Sequence, residues 1–121
     1  MAGPRVLVVD DNQLNLALAR YVLEDDGFTV DEALDVDEAW ARLRVHRPDV
    51  VLVDIQLPGT DGLSLVRAIK ATRGLDDIPV IAFTAYAMQG DEQRFRAAGC
   101  DGYLAKPIDV HSFAGEVRSH L

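Results

Sequence analysis

The chain has 121 residues, 49% of them hydrophobic and 26% charged, with 12 Lys+Arg against 20 Asp+Glu for a formal charge of −8. This fits one ordinary domain, too apolar for intrinsic disorder and without the run of about 18 apolar residues that a membrane span needs. A single cysteine, Cys100, excludes an internal disulfide framework and a cysteine-based zinc site, and the acidic balance argues against nucleic acid as a partner.

The opening, MAGPRVLVVDDN, lacks the apolar region and cleavage site of a signal peptide, which points to the cytosol. Residues 5–10 (RVLVVD) then form a continuously apolar run, the pattern of a strand covered on both faces. Residues 13–26 have helical period, with Leu14, Ala17, Leu18, Tyr21 and Val22 marking the expected inner face and Gly27 the stop. Residues 29–34 alternate, as an edge strand does. Asp35 and Glu38 resemble a capping box for a helix carrying Ala39, Trp40 and Leu43, which must end before Pro48. Residues 49–54 (DVVLVD) are again continuously apolar. Asp61 caps a helix with Leu65, Val66 and Ile69 inside. Residues 79–84 (PVIAFT) form the fourth strand, and residues 90–98 a short polar helix stopped by Gly99. Residues 102–105 (GYLA) form the fifth strand. Asp109 is the expected cap of a last helix that turns Phe113 and Val117 inward.

Alternation of this kind predicts an α/β fold, (βα)5, with helices on both faces of a parallel sheet. Right-handed crossovers leave few topologies, and the doubly wound order 2-1-3-4-5 is the common one. In that order strands one and three are neighbours at the switch point, and ligands sit beyond the carboxyl ends of the strands. Residues 1–121 read as one domain.

Strand one ends in Asp10-Asp11, strand three in Asp54 and strand four in Thr84, and strand five runs straight into Lys106-Pro107. The topology therefore gathers three carboxylates, a hydroxyl and an ammonium in one crevice. Three close carboxylates repel one another, and a hard divalent cation relieves that. Few all-oxygen ligands with positions left for water and phosphate oxygens describe Mg²⁺ better than Ca²⁺. A carboxylate can act as the nucleophile that forms an aspartyl-phosphate. Lys106 stands out because the chain has ten Arg and only one other Lys, Lys70.

These pieces resemble a receiver domain of a two-component response regulator over essentially the whole chain. The matching segments are VLVVDDN at 6–12, VDIQLPGTDG at 53–62, Thr84-Ala85 and the triplet Lys106-Pro107-Ile108. Residues 53–62 and TAYAMQGDE at 84–92 are most similar to the single-domain, DivK-type cell-division branch. The resemblance implies that Asp54 is the phosphoacceptor. It implies that Mg²⁺ is bound by Asp11 directly, by Asp10 mainly through water, by Asp54 itself and by the backbone carbonyl of Gln56. Thr84 and Lys106 would contact the phosphoryl oxygens, the bond before Pro107 would be cis, and Tyr103 would be the aromatic switch that follows Thr84. The donor would be a histidine kinase or a histidine phosphotransfer protein. A downstream regulator would read the face of helix four, strand five and helix five. The protein would be a phosphoacceptor switch rather than an enzyme, with no output domain in this chain. Thr60, where many relatives have Met, is the one departure, in an expected loop.

Plainer readings compete at each position. Asp10-Asp11 could be only a strand end and helix cap, Asp54 a turn residue, Thr84 a strand former and Lys106 a surface charge. Tyr103 could be merely a half-buried strand residue. Tyr86 borders the site or is a surface aromatic, and Met88 and Gln89 fit a loop or a docking surface. His46, His111 and His120 lack ligand spacing and read as solvated, and Cys100 as a small buried hydrophobe. Trp40, Phe83, Phe95 and Phe113 read as packing residues. Three other functions compete with the leading one. A flavodoxin-like binder would need a phosphate loop where this chain has acidic DDNQLN. The others are a phosphorylation-independent interaction module and a receiver cut from a larger hybrid kinase or regulator.

Overall fold

The computed structural model describes residues 3–57, 59–85 and 91–121, with the side chain of Thr60 left aside. Tyr86, Met88, Gln89 and the first residue of the expected fourth helix, Gly90, lie outside the described residues. Five strands form the main sheet: β1 (Arg5–Val9), β2 (Thr29–Ala33), β3 (Val50–Asp54), β6 (Val80–Thr84) and β7 (Gly102–Ala105). Between β3 and β6 lie two two-residue strands, β4 (Gln56–Leu57) and β5 (Thr60–Asp61), paired antiparallel. The main sheet is parallel in the order β2-β1-β3-β6-β7. Counting its strands alone, that is the expected 2-1-3-4-5. The small hairpin was not anticipated. It places Thr60 in a strand opposite Leu57 rather than in a loop.

The period of the strands divides the core in two. Leu7, Val9, Val51, Val53, Val80 and Ala82 face one side, against α2 (Val36–Val45), α3 (Gly62–Lys70) and α4 (Asp91–Ala98). Val6, Val8, Val50, Leu52, Ile81 and Phe83 face the other, against α1 (Gln13–Asp25) and α5 (Phe113–Arg118). All of these strand residues are buried, so the continuous apolar runs are explained by cover on both faces. β2 lies at one edge and is only partly buried, as its alternation suggested.

The inner face of α1 differs from the expected one. Leu16, Ala19, Val22 and Leu23 are buried, whereas Leu14 is 80% and Tyr21 72% exposed, and Ala17 and Leu18 also face outward. Both sets have helical period, so periodicity alone could not choose between them. The choice falls to the set that meets Val6, Val8 and Phe113 across the sheet–helix contact.

Caps account for most helix starts. Asn12, not either aspartate before it, caps α1 by accepting from the N–H groups of Leu14 and Asn15. Asp35 accepts from Glu38 N–H at 2.8 Å, and Glu38 Oε1 returns to Leu34 N–H at 2.7 Å, close to the expected capping box. Asp61 caps α3 through Leu63 N–H. Asp109 does not cap α5. Its carboxylate accepts from His111 N–H and its carbonyl from Phe113 N–H, so it closes a turn, and the helix begins only at Phe113. Gly99 ends α4 at φ 107°, a left-handed conformation that favours glycine. His46 and His111 are exposed as expected, but His120 is half-buried with its ring against Gly102.

Candidate functional site

The parallel order puts the carboxyl ends of β1, β3, β6 and β7 side by side. β1 and β3 run in register to Val9↔Val53, so Asp10 and Asp54 leave neighbouring strands at the same level. Asp54 pairs with Phe83, one residue before Thr84, and Thr84 pairs with Ala105, one residue before Lys106. Asp10, Asp54 and Thr84 are the buried polar side chains among the described residues, and all three lie at this end of the sheet. Gly62 allows the close approach behind them. A Cβ there would lie 2.2 Å from the Asp54 carbonyl oxygen, so α3 can start against the end of β3 only with glycine at its first position.

Lys106 joins the two buried aspartates. Its Nζ lies 3.0 Å from Asp10 Oδ2 and 3.0 Å from Asp54 Oδ2, and 5.1 Å from the centre of the Phe83 ring. The other Asp54 oxygen accepts from Gln56 N–H at 2.9 Å, and Asp10 Oδ1 accepts from Asn12 N–H at 2.9 Å. Burial pushes the Asp54 carboxyl above the usual range, and the nearby Asp10 adds to this. The Gln56 N–H and the Lys106 ammonium oppose the rise without cancelling it. Burial also disfavours the Lys106 ammonium. Hydrogen bonds to Asp54 and Asp10, with their charges, outweigh that and hold it above the ordinary lysine range.

Asp10, Asp11 and Asp54 each bring a carboxylate oxygen within 4.8 Å of the others, with Asp11 exposed and the other two buried. Three hard anionic oxygens, one facing solvent, suit a hard divalent cation that keeps part of its water. One ammonium against three carboxylates leaves a surplus of negative charge, which such an ion would offset. The residues therefore fit Mg²⁺.

The structure brings together Asp10, Asp11, Asp54 and Lys106, and places Thr84 at the adjoining strand end. The Lys106–Pro107 bond is cis, as the resemblance implied. Tyr103 stands apart from the carboxylates. It is exposed on edge strand β7, with its ring 6.0 Å from that of Phe95 on α4. Sequence reading missed three contributors: Asn12 and Asn15, which donate to Asp10, and Phe83, which was read as packing alone but also lies under the ammonium. The signal for the asparagines was their spacing of three at a helix start, directly after two aspartates.

A parallel doubly wound sheet with an acidic crevice bridged by a lysine defines a class, and comparison with known proteins identifies it. The chain belongs to the response regulator receiver domain family, whose profile matches residues 6–118. The polar-differentiation response regulator DivK of Brucella anthropi is 44% identical over 116 residues, 96% of this chain and 94% of that protein. The expected likeness to DivK-type regulators is thereby borne out. The chemotaxis response regulator CheY4 of Vibrio cholerae superposes with a TM-score of 0.91 at 27% identity, over 98% of each chain. The receiver domain of a sensor histidine kinase from Pseudomonas aeruginosa, solved with a magnesium ion coordinated in its active-site cleft, superposes with a TM-score of 0.87 at 34% identity, over 98% of each chain.

Proposed function

We propose that Asp54 of this receiver domain accepts a phosphoryl group, with Mg²⁺ held by Asp11 directly, by Asp10 mainly through water and by the backbone carbonyl of Gln56. The observation that carries this reading is the bridge from Lys106 to Asp10 and Asp54 beside the exposed carboxylate of Asp11. The ammonium lies 3.0 Å from an oxygen of each buried carboxylate and works against the burial that disfavours the Asp54 charge, which favours the anion that acts as nucleophile. An Asp54 oxygen attacks the phosphorus, and the bond from phosphorus to the donor's leaving atom breaks. When bound, the divalent cation offsets the charge of the transferred group. Lys106 then turns from the carboxylates to a phosphoryl oxygen, and the Thr84 hydroxyl donates to another.

Phosphorylation adds about −1.5 to −2 charge and favours the conformer in which these groups close on it. Tyr103 then leaves its place beside Phe95 and moves inward behind Thr84, altering the face formed by α4, β7 and α5. The donor is a histidine kinase or a histidine phosphotransfer protein, and a downstream regulator reads that face. The protein works in the cytoplasm as a phosphoacceptor switch rather than as a catalyst acting on other molecules. Among the described residues no helix is long and apolar enough to cross a membrane.

Incubation with acetyl phosphate and Mg²⁺, followed by intact mass measurement, tests the reading. A phosphoryl adduct is expected on the wild type and not on Asp54→Asn. No adduct from acetyl phosphate or from a kinase would instead favour a phosphorylation-independent interaction module.

A further inference from the structure

A wholly buried carboxylate needs hydrogen-bond donors on both oxygens. Asp10 Oδ1 has the Asn12 N–H at 2.9 Å. Asp10 Oδ2 has two donors, Lys106 Nζ at 3.0 Å and the side-chain amide Nδ2 of Asn15 at 3.4 Å. These are different kinds of partner. Lys106 also holds Asp54, and under the reading above it leaves both carboxylates for the phosphoryl group. Asn15 is fixed in the first turn of α1. Its own N–H donates to Asn12 Oδ1 at 3.1 Å, and the Asn12 N–H donates to Asp10. Three hydrogen bonds thus close a ring through Asp10, Asn12 and Asn15.

We propose that Asn15 is a positioning residue that keeps the Asp10 carboxylate oriented toward the divalent cation. This rests on the Mg²⁺-assisted reading above. The amide is neutral, so it orients the carboxylate without competing for its charge. Removing a donor to a metal-site carboxylate weakens metal binding even though the residue never touches the ion.

The test is a Mg²⁺ titration of the ¹⁵N-labelled protein, followed by its backbone amide shifts. Asn15→Leu keeps the size of the side chain and removes the donor. It is expected to raise the Mg²⁺ concentration at half-saturation about three- to tenfold, as the loss of one long hydrogen bond to a carboxylate should. Asn15→Gln keeps an amide donor and is expected to stay within about twofold of the wild type. Equal Mg²⁺ affinity in the wild type and Asn15→Leu would overturn the proposal, even if the leucine variant melts lower without metal, because that would leave Asn15 a structural role only. Failure of Asn15→Gln to recover affinity would overturn it too. If the wild type binds Mg²⁺ but takes no phosphoryl group from acetyl phosphate, the phosphoacceptor reading falls while the Asn15 result stands.

Discussion

The chain has two lysines, and they sit at opposite ends of the sheet. Lys70 reaches from α3 to the amino ends of β6 and β7, where Nζ donates to the Ile78 carbonyl at 2.8 Å and to Asp101 Oδ2 at 2.7 Å. The same Asp101 oxygen accepts from Val80 N–H at 2.8 Å. One ammonium meets one carboxylate, and the carboxylate also ties down the start of a strand. Lys106 at the carboxyl end faces two buried carboxylates, with a third close by. Both lysines are largely covered, and both make short ion pairs. What separates them is charge balance. The Lys70–Asp101 pair is balanced, one charge against one, whereas the carboxyl end holds a surplus of negative charge that a cation would offset. A balanced ion pair is ordinary structure, whereas an unbalanced cluster of titratable groups at strand ends marks a candidate functional site.

This contrast can be broken by measurement. Asp101→Ala removes the partner of both Lys70 and the Val80 N–H, and is expected to lower stability by about 2 kcal/mol in urea unfolding. An unchanged midpoint would show that the amino end is not held by this link.

Cys100 sharpens the same point, because it lies beside Asp101 at the amino end. Burial pushes its thiol up to about 11, with Asp101 adding to the rise and Lys70 and Arg67 opposing it. The folded state therefore keeps a proton that the unfolded chain releases near the usual thiol value of about 8.5. Its contribution to stability is whole below that pH and is lost as pH rises toward 11, on the order of 3 kcal/mol in all. Cys100→Ala should flatten that decline, and the native thiol should resist iodoacetamide at neutral pH while the unfolded chain reacts.

At the carboxyl end Asp54 shifts in the same direction as Cys100. Asp54 has a raised pKa because burial, seconded by Asp10, disfavours its charge. Its contribution to stability is whole at low pH and is lost as pH rises through that raised pKa. Asp54→Asn imitates the neutral form and is expected to raise Mg²⁺-free stability at pH 7 by about 1 kcal/mol. A loss of stability instead would mean that the Lys106 pairing outweighs burial and repulsion.

The smallest effect concerns α1. Tyr21→Ser should leave stability within about 0.5 kcal/mol, as an exposed site does. Leu16→Ala should cost about 2 kcal/mol or more as a buried one. Reversed values would restore the face that periodicity suggested.

The sequence alone determined the class, the strand order and the side chains gathered at one end of the sheet. Continuously apolar runs separated by helical stretches allow little else, and strand ends are fixed points, so Asp10, Asp11, Asp54, Thr84 and Lys106 could be placed together from topology. Asp35 with Glu38, Asp61 and Gly99 were legible because caps and stops act over three or four residues. Tertiary structure decided what depends on a partner distant in the chain. It chose which of two apolar stripes on α1 turns inward, since only packing against Val8 and Phe113 distinguishes them. It set the Lys106 ammonium 3.0 Å from both Asp10 and Asp54, and set Lys70 on Asp101, 31 residues away. It moved the start of α5 past Asp109 and turned the Asn15 amide toward Asp10. Local patterns record what neighbours along the chain can do; which side chains share a charge is decided only when the sheet brings its strand ends together.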